Sequence, residues 1–329
     1  MLSRLGRSPI WLISTLLATN LLLFLPENPG LRYVGGLALF CILPGLSLIN
    51  CVPPEALPTT ILERFSLGIA TSFVLSNLAV LGLNYLPGRI TLMQLAMVLN
   101  LLVLLSAVPL FLVRRRTRQG ELVRESPKEA WVHVVVLVIV LFFFRFVGLG
   151  YSQFGRADEI PVISTATQLI SGSDTALLSR IKNPVEVTTA LAFILFDNGF
   201  EEFAVRLPFA LASVAAVMMF YLLGREMFGE RVGFVAGLLL ALEGLFLAVS
   251  RLAQYQGIVM LMSISAVYCF WRARSDSSRQ SRTLFIAFGS IMFGFACLTH
   301  YEGITTAPLL GLLFFSSRQQ PLKEKLALG

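Results

Sequence analysis

The feature that most constrains this chain is its succession of long apolar runs. Stretches near 9–26, 32–51, 65–86, 90–113, 131–149, 205–223, 232–249, 255–271, 283–300 and 303–316 are each dominated by Leu, Val, Ile, Ala and Phe. A helix needs about 20 apolar residues to cross the hydrocarbon core, where every backbone polar group must be satisfied within the segment. The runs, the last of them short, predict an all-α polytopic transmembrane helix bundle of about ten spans. Composition agrees: 14% of residues are charged and mean hydropathy is +0.78, whereas soluble domains carry about 25% charged residues.

The placement of charge sets an orientation. A net charge of +7 would suit nucleic acid if the bases formed one basic face. They lie instead in short clusters between apolar runs, so no nucleic-acid partner is expected. With the N-terminus in the cytoplasm, one side collects Arg4 and Arg7, the loop at 52–64, Arg114 to Lys128, Arg225 and Arg231, Arg272 to Arg282, and the tail with Lys323 and Lys325. That is the positive-inside pattern, and it predicts a multi-pass protein of the cell inner membrane, with the bilayer as its first partner. No small-residue cleavage site follows the first run, which therefore reads as a retained span. The basic segment 114–130, carrying Ser126-Pro127, divides a four-span N-terminal unit (1–113) from a second module (131–329). In the first unit, Leu43-Pro44-Gly45 and Pro53-Pro54 predict a helix break and an irregular loop, and no chemistry. That unit reads as a packing or partner-binding appendage.

The same orientation sends the interval from about 150 to 204 to the outer face. It opens with Asp158-Glu159 and holds Asp174, Glu186, Asp197, Glu201 and Glu202 against Arg156, Arg180 and Lys182. Its apolar parts, Ile160 to Ile170 and Val185 to Phe196, predict short helices lying in the membrane interface, with Asn183-Pro184 breaking between them. Two adjacent carboxylates at a membrane surface can take a proton from a hydroxyl acceptor or position a sugar or metal; a plain solvated pair is the alternative. The four cysteines show no CxxC spacing and there are two histidines, so no metal ligand and no cofactor is assigned. Glu243 falls inside the seventh run, where a charge costs roughly 2.5–3.5 kcal/mol on insertion scales. A neutral or paired state within the bundle is expected for it, with Arg145 as partner or as a snorkelling cation.

Six short elements follow one another along the second module. They are Asp158-Glu159, Gly172-Ser173-Asp174, Lys182-Asn183-Pro184, Phe203-Ala204-Val205-Arg206-Leu207-Pro208, Gly224-Arg225-Glu226-Met227-Phe228-Gly229 and Ser250-Arg251-Leu252-Ala253. On these, residues 131–316 resemble the glycosyltransferase C superfamily, in the branch of protein O-mannosyltransferases and the lipid A aminoarabinose transferase. The resemblance implies inverting transfer of a hexose or pentose from a polyprenyl-phosphate donor to a protein or glycolipid acceptor on the outer face. It makes Asp158 the matching catalytic aspartate, as base or acceptor-positioning group, with Glu159 beside it.

The donor phosphate needs cations. Arg251 and Lys182 are the leading outer-face candidates, with Arg156 further off and Arg206 reading as an interfacial anchor before Pro208. Gln254 and Tyr255 join Arg251 as substrate-binding candidates, as do His300, Tyr301 and Glu302 at the outer end of the ninth run. Two departures bear on donor or acceptor binding: Gln256 stands where the family often has an acid, and Lys182-Asn183-Pro184 replaces Lys-Pro-Pro. Relatives continue with further spans and often a soluble outer domain, so the module is expected to be incomplete at Gly329. The rival readings are a transporter or lipid flippase, which needs midplane polar residues and inverted repeats, and a non-catalytic scaffold. Polar residues gathered at the outer face, with no repeat, favour the transferase.

Overall fold

The computed structural model describes residues 9–24, 29–52, 57, 59–112, 128–151, 159–172, 183–196, 201–276 and 278–316. Among these there is no strand. The N-terminal unit consists of α1 (Pro9–Phe24), α2 (Pro29–Leu37), a π-helical turn (Ala38–Ile42), α3 (Leu43–Cys51), α4 (Ile61–Asn84) and α5 (Leu92–Leu112). The second module runs through α6 (Lys128–Phe146), α7 (Glu159–Ser171), α8 (Pro184–Phe196), α9 (Glu202–Phe228), α10 (Glu230–Leu242), α11 (Gly244–Val249), α12 (Gln256–Ser275) and α13 (Arg279–Thr299). A 3-10 turn (Tyr301–Thr306) and α14 (Ala307–Phe315) complete it.

Among the described residues, five segments are long and apolar enough to cross a membrane: Gly30–Cys51, Ile61–Asn84, Glu202–Phe228, Gln256–Ser275 and Arg279–Thr299. Five more apolar helices are shorter. Their outward faces are apolar as well: Val135, Ile139, Phe142 and Phe143 on α6, and Met93, Met97 and Leu101 on α5, are exposed. Exposed apolar surface on this scale belongs against lipid. The chain is an all-α membrane protein.

The 27-residue α9 is the centre of the bundle, contacting α4, α6, α8, α10 and α12. It ends at Gly229, whose φ of +94° favours a residue without Cβ. Arg206 and Arg225 lie 19 residues apart on it, or about 28 Å at 1.5 Å per residue, close to the hydrocarbon thickness. Each sits in its own cluster of charge, so the bundle has two polar ends.

At the Arg225 end the acid comes from the N-terminal unit. Thr60 and Glu63 form a reciprocal capping box that starts α4. The same buried Glu63 carboxylate accepts from Arg225 Nη2 at 2.5 Å and from Arg272 Nη1 at 3.4 Å. Arg272 also donates to the Tyr268 hydroxyl at 3.0 Å. One carboxylate thus ties α4 to α9 and α12.

Within the N-terminal unit, the break expected at Leu43-Pro44-Gly45 takes the form of the π-helical turn. The turn's carbonyls are satisfied from α4: Ser76 Oγ donates to Phe40 O and Ser72 Oγ to Ile42 O, both at 2.9 Å. Ser72 in turn accepts from Gly45 N at 2.8 Å. A Cβ at Gly45 would overlap the Gly68 carbonyl and the Ser72 amide, both main-chain atoms that cannot swing aside. Gly45→Ala is therefore expected to destabilise the protein by at least the ~1–3 kcal/mol typical of overpacking, read as a lowered melting temperature in detergent.

Two expectations change on inspection of the bundle. The run 232–249 is not one continuous helix, because α10 ends at Leu242 and α11 begins at Gly244. Glu243 breaks it by adopting an extended backbone and capping α11, its carboxylate accepting from Leu245 N at 3.0 Å and Phe246 N at 2.5 Å. It is exposed, not an intrabundle charge. The second change concerns α8, which is buried around nearly its whole circumference. It packs against α2, α4, α5 and α9, and buried Asn77 on α4 donates to Thr188 at 3.2 Å. An interfacial helix would leave one face free; α8 is a plug inside the bundle.

Candidate functional site

The end of the bundle opposite Glu63 is organised by Glu159, the first residue of α7. Its carboxylate and the Arg206 guanidinium meet fork to fork: Nε donates to Oε1 at 2.8 Å and Nη2 to Oε2 at 2.6 Å. Both side chains are buried, at 1% exposure or less. Oε1 also accepts from Ala253 N at 2.9 Å, and Arg206 Nη1 donates to Leu149 O at 3.0 Å. A paired and hydrogen-bonded carboxylate is the form in which a buried charge is tolerated. Four segments that are distant in sequence meet here: the turn after α6, the start of α7, the first turns of α9 and the turn between α11 and α12. Arg206 is the counter-ion of Glu159, in place of the interfacial anchor expected.

That geometry changes what Glu159 can do. Both of its oxygens are engaged and it has no exposure, so the group holds α7 in place and does not present a free base. Asp158, the residue before it, lies outside the described residues, as do Lys182 and Arg156.

The turn Ser250 to Tyr255 gathers most of the remaining candidates. Arg251 is half-buried and donates Nη2 to Val147 O at 2.7 Å. Gln254 is half-buried beside it. Tyr255 stacks on His300, with ring centroids 3.6 Å apart and planes 11° from parallel. The Tyr301 ring lies 4.1 Å from His300 on centroids. Tyr255 donates its hydroxyl to Glu302 Oε1 at 3.0 Å, and Glu302 N donates to His300 Nδ1 at 3.4 Å. Burial first, and then the Glu302 hydrogen bond, raises the Tyr255 phenol above its usual pKa, so it remains a donor near neutral pH. The result is a small aromatic platform with a carboxylate at its edge, a surface suited to sugar hydroxyls and ring faces.

A second tether reaches this platform from α8. Asn183 caps that helix, accepting from Val185 N at 3.0 Å, while Pro184 occupies the first helical position. Its amide also donates to Thr299 O at 2.7 Å, the residue before His300. Asn in place of the family's first Pro therefore has a local reason: only a polar side chain can cap α8 and grip α13 together. Sequence reasoning missed this bridge, although Asn-Pro before an apolar run is a helix-start signal. Among the described residues no three His, Cys, Asp or Glu side chains gather as a metal site would need.

Residues 185–329 match the family described as dolichyl-phosphate-mannose-protein mannosyltransferase. The matched range contains Arg206, Arg251, Tyr255, His300 and Glu302, and begins after Asp158-Glu159. No curated protein and no solved structure gave a significant match. From α8 onward the chain is therefore similar to that mannosyltransferase family, over somewhat less than half of its length.

Proposed function

We propose that the protein transfers a sugar from a polyprenyl-phosphate donor to a hydroxyl acceptor at the outer face of the inner membrane, with inversion. The acceptor oxygen attacks the anomeric carbon as the carbon–oxygen bond to phosphate breaks. The bonding pair leaves with the lipid phosphate, and the acceptor proton passes to Asp158. One displacement inverts the anomeric centre. Asp158 is one peptide bond from Glu159, whose role is to position it: the ion pair with Arg206 holds the start of α7 against α9 and the 250–255 turn. That convergence is the observation supporting the reading, because three motifs read separately along the chain meet at one buried ion pair.

In this scheme Lys182 and Arg251 face the donor phosphate. Tyr255, His300, Tyr301, Glu302 and Gln254 contact the sugar or the acceptor. A protein or glycolipid acceptor is proposed by analogy with the family that the chain resembles.

The test uses full-length protein in nanodiscs, radiolabelled polyprenyl-phosphate mannose, and a detergent extract of the producing cells as the source of acceptor. Label is expected to move from the organic-soluble donor to an acceptor only when protein is present. Complete retention of label in the donor, with folded protein and fresh extract, would defeat the proposal.

A further inference from the structure

Each of the two helices between α6 and α9 is fastened at both ends. α7 starts at the Glu159–Arg206 pair, and α8 starts at Asn183, whose amide grips Thr299 O beside His300. Their far ends are fastened to the N-terminal unit. The last turn of α7 meets the connection between α4 and α5, where Ile90 N donates to Ile170 O at 3.0 Å. Gly172 lies against Gly88 there. Its φ is +66°, and a Cβ on it would stand 2.5 Å from the Gly88 carbonyl oxygen, so a side chain is excluded twice over.

The far end of α8 meets α2. Arg32 Nε donates to Leu195 O at 3.0 Å, answering a last-turn carbonyl that the helix itself leaves open. The Tyr33 ring packs edge-on against Phe196, with centroids 5.1 Å apart, and lies 5.8 Å from the Phe203 ring. Its hydroxyl donates to Glu201 Oε2 at 3.0 Å, just before α9 begins. Midway along α8, Asn77 of α4 holds Thr188. We infer that the four-span N-terminal unit is an intramolecular positioning partner of the site. It keeps the first turns of α7 and α8 in register with the 250–255 turn and the His300 platform.

For what the site does, the inference rests on the proposed function. α7 and α8 have 13 residues each, so each is a hydrogen-bonded rod about 20 Å long. A rod packed at interior density transmits a displacement from one end to the other with little loss. Asp158 directly precedes α7 in the sequence, and Lys182 and Asn183 directly precede α8. Slack at Leu195 or Ile170 therefore reaches the groups placed nearest the chemistry, where a misplacement of about 1 Å costs about 10²-fold in rate. Arg32 and Tyr33 are positioning residues that act through α8. The unit expected to be an appendage is thereby part of the enzyme.

The experiment combines amide hydrogen exchange and initial transfer rates on full-length protein in nanodiscs. The double variant Arg32→Met with Tyr33→Phe removes both polar grips and keeps the packing. Arg32→Gln is the conservative control, because its Nε2 stands as many bonds from the backbone as Arg Nε and can still reach Leu195 O. In the double variant, exchange in α8 and in residues 299–306 is expected to quicken about tenfold, the factor one lost hydrogen bond can contribute, with α10 unchanged. Gly172→Ala should quicken α7 likewise. Below the melting transition, kcat of the double variant should fall about tenfold or more while the donor KM stays within about twofold, the pattern of lost transition-state placement. Arg32→Gln should restore both exchange and kcat. Unchanged exchange in α8, or an equal rise in α10, would overturn the inference. So would quickened exchange in α8 at the wild-type kcat. If the double variant fails to fold, Tyr33→Phe alone carries the same two measurements. Exchange is read without substrate, so the expected exchange pattern in a protein that transfers no sugar would count against the proposed function alone.

Discussion

Arg206→Met is expected to destabilise the protein by about 3–5 kcal/mol, because it strands the Glu159 carboxylate in a buried position with its main partner gone. The carboxylate would keep the Ala253 amide, which is too little to replace a two-pronged guanidinium. Thermal unfolding in nanodiscs should show the loss directly. The double variant Glu159→Leu with Arg206→Met removes both charges and should recover part of the stability, as apolar replacements of buried ion pairs commonly do. Activity should not return with it. The start of α7 would no longer be tied to α9 and to the turn at Ala253, and Asp158 directly precedes that start in the sequence. Recovery of stability without recovery of turnover is the signature of a positioning pair. Recovery of both would mean that α7 is held by packing alone.

Glu63→Gln is expected to be comparably costly, about 3–5 kcal/mol, at the other end of the bundle. It would leave two largely buried cations, Arg225 and Arg272, facing a neutral amide, with the Glu226 carboxylate 3.9 Å from each. The substitution also disturbs the cap of α4, since Thr60 N donates to the same carboxylate at 2.8 Å. Glu63 belongs to the N-terminal unit and its partners to the second module. A large loss in melting temperature, with a single unfolding transition retained, would show that the two parts unfold together. A change below about 1 kcal/mol, the value of an exposed pair, would mean that the cluster is solvated and does not join them.

Much of the architecture was legible because it is written in local pattern. Apolar runs of spanning length became helices, and alternating basic clusters separated the two polar ends of α9. What local pattern does not carry is the identity of partners across the bundle. Arg206 at the head of an apolar run looks like an anchor; its partner Glu159 is 47 residues earlier in the chain. Val185 to Phe196 looks like an interfacial helix, being short, apolar and flanked by Pro and Gly. Its burial depends on α2, α4 and α5 arriving from the N-terminal unit, which no window around α8 contains. Glu243 was visible as an acid in an oily run, yet its use as a helix cap depends on a break that the apolar sequence around it conceals. Arg145 stood out for the same reason, and its surroundings show the guanidinium resting on the Phe246 ring. The aromatic platform was more accessible, because His300, Tyr301 and Glu302 are adjacent and only Tyr255 had to be brought from another helix.

The most direct test of the central claim separates the two adjacent acids. Initial rates of mannose transfer from the polyprenyl-phosphate donor should be measured for wild type, Asp158→Asn and Glu159→Gln, each with its melting temperature. The account predicts that Asp158→Asn loses about 10²–10⁴ in rate, the usual contribution of a general base, at an unchanged melting temperature, whereas Glu159→Gln lowers the melting temperature. Asp158→Asn turning over at the wild-type rate would contradict it.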